Sequence, residues 1–155
     1  MRDARGFTYF ELLATMIILT ILAAAVMPTA KVVRKRQKEI ELRRALRTIR
    51  TALDTFQHAA TVEGSIGGTD VKVGSEGYPE SLEKLVKGVS VVGKIDVKRK
   101  FLRRIPFDPM TGKQEWGKRC YQDDPDDTSW CGENVYDVYS LSGGVALDGS
   151  KYKEW

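Results

Sequence analysis

The sequence predicts an α+β chain, with a long N-terminal α-helix whose second half packs on a C-terminal domain of short strands and loops. Three observations carry this. Residues 12–30 are nineteen consecutive residues without a charge. Residues 31–58 then continue without glycine or proline, and Leu42, Leu46, Ile49, Leu53 and Phe56 recur at spacings of 4, 3, 4 and 3, one face of a helix. Beyond residue 60, glycine, proline and acidic turns alternate with short Val- and Tyr-rich runs.

The length of 155 residues allows one modest domain plus a helical extension. The net charge of +4 is unevenly spread. Residues 1–30 are formally neutral, residues 31–58 carry nine Lys/Arg against three acids, and residues 59–155 carry 14 bases against 16 acids. The basic character therefore belongs to one stretch of helix.

The apolar run would form a helix of roughly 28 Å, about the hydrocarbon thickness of a bilayer. It is too long for a signal-peptide core, and no A-x-A-like site follows it. A chain this small cannot surround nineteen apolar residues, so a buried core helix is a poor reading. Glu11 stands at the start of the run, where an unpaired carboxylate would cost several kcal/mol in hydrocarbon, so a partner is expected.

Before the run, a short charged leader, MRDARG, ends at Gly6 and is followed by Phe7, with Glu11 four residues later, in GFTYFELLATMIILTILAAAVMP. This resembles the signal of the type IV pilin-like family, including the proline at Pro28; the aromatics Tyr9 and Phe10 replace commoner aliphatic residues. The resemblance implies cleavage between Gly6 and Phe7 by a prepilin peptidase and N-methylation of Phe7. It divides the chain into a leader (1–6), a transmembrane and polymerisation helix (7–30), a helical continuation (31–58) and a periplasmic globular domain (59–155). Glu11 would then neutralise the new amine of Phe7, within the chain or on the next subunit, where low dielectric makes such pairing matter. We favour the intermolecular pair, which would set axial register during assembly.

One helix from Phe7 to about His58 would run roughly 78 Å, with its first half protruding and Pro28 able to kink it. The nine cations between Lys31 and Arg50 lack interleaved aromatics and adjoin the apolar run, which argues against a nucleic-acid footprint. They read as a solvated face pairing with acids of adjacent subunits, with anionic lipid headgroups as the other option. The positive-inside rule would place this flank in the cytoplasm. The pilin-like topology requires the C-terminal domain outside, and the leader and the cysteine pair favour that orientation.

In the C-terminal part, residues 61–77 read as a loop. YPESLEKLVKG reads as a short helix starting at Pro79 and stopping at Gly88. VSVVGKI, the stretch 115–121 and NVYDVYSLSG are the strand candidates, and an Asp-Pro-x-x-Gly turn lies in FDPMTG. Cys120 and Cys131 are close in sequence, which suits one disulfide in an oxidising compartment, two free thiols being the alternative. The segments YPESLEKLV, FLRRIPFDPMTG and YDVYSLSGGVALDGSKYKEW also resemble the major pseudopilin of type II secretion systems. That likeness implies a pilin-like fold, the long helix packed on a small antiparallel sheet. It also implies calcium in the C-terminal loop, here through Asp148, Ser142 and Leu141. The usual aspartate is missing from Leu141-Ser142-Gly143-Gly144, and calcium wants six to eight oxygens. No cofactor is otherwise expected.

No Gly-rich phosphate loop, nucleophile elbow or paired metal ligands occur, and His58 has no evident partner, so an enzyme is not expected. The resemblance implies a structural subunit of a homopolymeric pseudopilus. It would be stored in the bacterial inner membrane as a single-pass protein and served by a prepilin peptidase, an assembly ATPase with its membrane platform, and minor pseudopilins. A pilin or minor pilin of a surface fibre, or a bitopic periplasmic binding module, are the alternatives.

Overall fold

The computed structural model describes residues 6–67, 70–124, 127 and 129–155, and only the backbone of 25–28. The leader residues 1–5 and the side chain of Pro28 lie outside the described residues. The chain divides into two compact units, Met1–Gln37 and Lys38–Trp155.

The first unit holds the start of α1 (Tyr9–Thr61), a helix of 53 residues that runs on into the second unit. Its apolar stretch is long and hydrophobic enough to cross a membrane, and none of its described side chains is buried within the chain. Ile17, Leu19 and Ile21 are each more than 60% exposed. The hydroxyls of Thr15 and Thr20 donate back to the carbonyls of Leu12 and Met16, at 2.9 and 2.8 Å. These two hydroxyls therefore need no water to be satisfied, which suits a hydrocarbon environment.

The second unit is built on the later turns of α1. Leu42, Ile49, Leu53 and Phe56 are fully buried and Leu46 nearly so, as the 4-3-4-3 spacing requires. The helix ends at Thr61 rather than near His58. Short elements close over this face. The helix α2 (Leu82–Lys87) starts at Leu82, three residues past the expected Pro79. It stops at Gly88, whose φ of 82° suits glycine and whose missing Cβ would meet the Arg99 carbonyl at 2.9 Å.

Four short strands follow: β1 (Val89–Ser90), β2 (Lys98–Arg99), β3 (Gly117–Arg119) and β4 (Asp137–Tyr139). They pair as two separate two-stranded antiparallel sheets, β1 with β2 and β3 with β4, where a single small sheet was expected. The strand candidates hold in place but are shorter than predicted. VSVVGKI turns after two residues because Gly93, at φ 75°, reverses the chain. Gly117 faces Tyr139 across the β3–β4 pair; a Cβ there would lie 2.3 Å from the ring. The predicted Asp108 turn is present, with Gly112 N–H donating to the Asp108 carbonyl at 2.7 Å. Its carboxylate is fully buried and accepts from Ser140 Oγ and Met110 N–H, which ties the turn to the end of β4.

Candidate functional site

The N-terminal end of α1 begins with Gly6 and Phe7 in non-helical conformation, both exposed. Thr8 precedes the first helical residue. Its Oγ1 accepts from Glu11 N–H at 3.2 Å, and its carbonyl accepts from Leu12 N–H. Thr8 is thus the N-cap, and Glu11 stands at the third helical position. Sequence reasoning missed this cap, although Thr-x-x-Glu before an apolar run is its recognised pattern. The placement gives Glu11 a local role: a carboxylate in the first turn complements the positive end of the helix dipole. Glu11 has no ion-pair partner among the described residues.

The second unit has a polar lock that the sequence did not advertise. Glu39, on α1, is only 9% exposed. Its Oε1 accepts from the Leu147 N–H at 2.9 Å and from the Tyr152 hydroxyl at 3.0 Å. Burial and the adjoining Glu39 carboxylate push the Tyr152 phenol up to about 12. Eleven residues on, Arg50 forms a fork on Asp137 of β4, with N–O distances of 2.6 and 3.2 Å. It also donates to the main-chain oxygens of Val138 and Trp155. Both residues look like ordinary members of the charged stretch. The legible signal was phase: Glu39 lies three residues before Leu42 and seven before Leu46, on the apolar face itself. His58, without a partner in the sequence reading, meets Glu63 at 3.4 Å. Arg99 and then Ser65 hold the Glu63 carboxyl down at about 2.

Cys120 and Cys131 form a disulfide, with Cα atoms 6.0 Å apart. The loop it closes is organised by buried Asn134, which accepts from Tyr121 N–H and donates to Gln122, both at 2.9 Å. Cys120, Asp123 and Cys131 are the one metal-like cluster among the described residues, and the disulfide engages both sulfurs.

Of the residues considered for calcium, Asp148 and Ser142 have other partners. Asp148 Oδ1 accepts from the backbone and hydroxyl of Ser150, at 2.9 and 2.6 Å. Its Oδ2 faces the Arg43 guanidinium at 3.5 Å. The Ser150 bonds first, and Arg43 with them, lower the Asp148 pKa. Ser142 Oγ accepts from Gly144 N–H. Arg43 also stacks on the Trp155 ring at 4.3 Å, and Trp155 Nε1 donates to Ser150 Oγ. One carboxylate beside a guanidinium does not make a hard-cation site of six or more oxygens, so this donor set does not fit calcium.

No family model matches this chain, and no curated protein or solved structure matches it.

Proposed function

We propose that this chain is a structural subunit that is stored in the bacterial inner membrane and polymerises through α1, as a major pseudopilin of a type II secretion system. The single observation behind this reading is the combination Gly6-Phe7-x-x-x-Glu11 at the head of a membrane-length apolar helix with none of its described side chains buried. The disulfide supports an oxidising compartment for the C-terminal domain, hence a periplasmic one. A prepilin peptidase would cut between Gly6 and Phe7. Both residues are exposed and outside the helix, which supports access to that bond, since a helical bond would first have to unwind.

In assembly, apolar helices would move from lipid into contact with identical helices. Hydrophobic burial is then exchanged rather than gained, and packing and polar pairing must choose the register. Glu11, capped in place at the first turn, would meet the Phe7 amine of the neighbouring subunit. Partners on this reading are further copies of the chain, the peptidase, an assembly ATPase with its platform, and minor pseudopilins. Co-expression with a prepilin peptidase, followed by N-terminal sequencing and electron microscopy, tests it. A mature terminus at Phe7 together with fibres is expected. A chain that keeps Met1 and stays monomeric would instead favour a plain membrane anchor carrying a binding domain.

A further inference from the structure

The cations of α1 fall into two groups. From Lys38 onward they belong to the unit that carries the globular domain, where they are interspersed with Glu39, Glu41 and Asp54. There Arg43 and Arg50 are paired with Asp148 and Asp137. Lys31, Arg34, Lys35 and Arg36 differ. They follow the uncharged run directly, and no acid lies anywhere between Glu11 and Glu39. None of the four has an ion-pair partner among the described residues, and Lys31, Arg34 and Arg36 are exposed.

Lys31, Arg34 and Lys35 stand at i, i+3 and i+4, so three like charges share one helix face, an arrangement that destabilises a helix unless an anion lies among them. Val32 and Val33, 52% and 55% exposed, lie between them and extend the apolar surface past residue 30. At 1.5 Å per residue, Arg36 is about 9 Å beyond the last uncharged position. The headgroup layer on one side of a bilayer is roughly 5–8 Å deep, so all four cations reach it, the outermost through its flexible stem.

We propose that residues 31–36 bind the phosphate groups of anionic phospholipids and hold the unassembled subunit at a fixed depth in the bilayer. The proposal rests on the reading of residues 7–30 as a membrane span, and it does not require polymerisation. Its consequence for assembly is direct: extraction of the helix must release these headgroups, so anionic lipid favours the stored subunit over the filament.

The test uses the full chain in non-ionic detergent, titrated with phosphatidylglycerol or phosphatidylcholine and read by native mass spectrometry. Anionic lipid should be retained over zwitterionic lipid by at least about fivefold, the effect of one such headgroup contact. The ratio should approach unity in Lys31→Gln/Arg34→Gln/Lys35→Gln/Arg36→Gln and persist in Arg44→Gln/Arg47→Gln. Equal retention of both lipids by the unaltered chain, or a preference that survives the quadruple change, would overturn the proposal. If the quadruple variant instead loses fibre yield with its lipid ratio unchanged, the face docks on a neighbouring subunit. Because the ratio is measured on single chains, failure of the polymer reading leaves it readable.

Discussion

Replacing Glu39 by alanine isolates one of the contacts that tie the C-terminal loop to α1. The substitution removes the acceptor for the Leu147 N–H and the Tyr152 hydroxyl. Hydrogen bonds to a charged acceptor contribute about 1.5–3 kcal/mol each, so the gross loss is about 3–6 kcal/mol. Part is returned, because a carboxylate only 9% exposed no longer has to be desolvated. A net destabilisation of about 3 kcal/mol is expected, or a fall in Tm of roughly 6–12 °C for a chain of this size. Glu39→Gln keeps a neutral oxygen at the same place and should cost only about 1 kcal/mol. Urea denaturation of the full chain in detergent, followed by tryptophan fluorescence, measures both, since Trp116 and Trp155 lie in or against the core. A double-mutant cycle with Tyr152→Phe should return a coupling of about 1–2 kcal/mol. If Glu39→Ala costs less than about 1 kcal/mol, or the cycle is additive, the carboxylate is not what holds the loop.

Four further outcomes are expected. The Tyr152 phenol is raised from its usual 10.0 to about 12 by burial and then by Glu39, so the stability it contributes is fully present below pH 10 and is lost as pH rises through 12. Phenolate absorbance should show one tyrosine titrating only with unfolding, and titration of all tyrosines in the ordinary range would contradict this. Glu11→Ala should leave membrane insertion intact and sharply reduce fibre assembly; normal fibre yield would remove its proposed pairing with Phe7. Cys120→Ser opens the Cys120–Cys131 loop and should cost about 2–3 kcal/mol in the chain-entropy model, read as a lower Tm under non-reducing conditions. Calcium and a calcium chelator should leave the Tm of the chain equal, because a ligand that does not bind the native state cannot stabilise it; a calcium-dependent rise would show a site that Asp148 and its neighbours do not display.

Much of the helix was readable from residues alone, and for a simple reason. Helical periodicity and charge exclusion are local properties, so the run 12–30 and the spacing of Leu42, Leu46, Ile49, Leu53 and Phe56 needed no tertiary context. The cysteine pair and the Asp108 turn were legible on the same grounds, since both act over a few residues. Thr8 was equally local and simply went unread. Phase puts Glu39 on the apolar face, but the chain of letters could not decide which groups would meet it and Arg50 there. Glu39 and Arg50 become buried or half-buried because Leu147, Tyr152 and Asp137 arrive from about 90 to 110 positions away, and only the packed structure brings those groups within hydrogen-bonding distance. The split of the β region into two sheets was likewise settled by packing. Strands of two or three residues carry too little pattern of their own, and the close fit of Gly117 against Tyr139 exists only after the chain has folded.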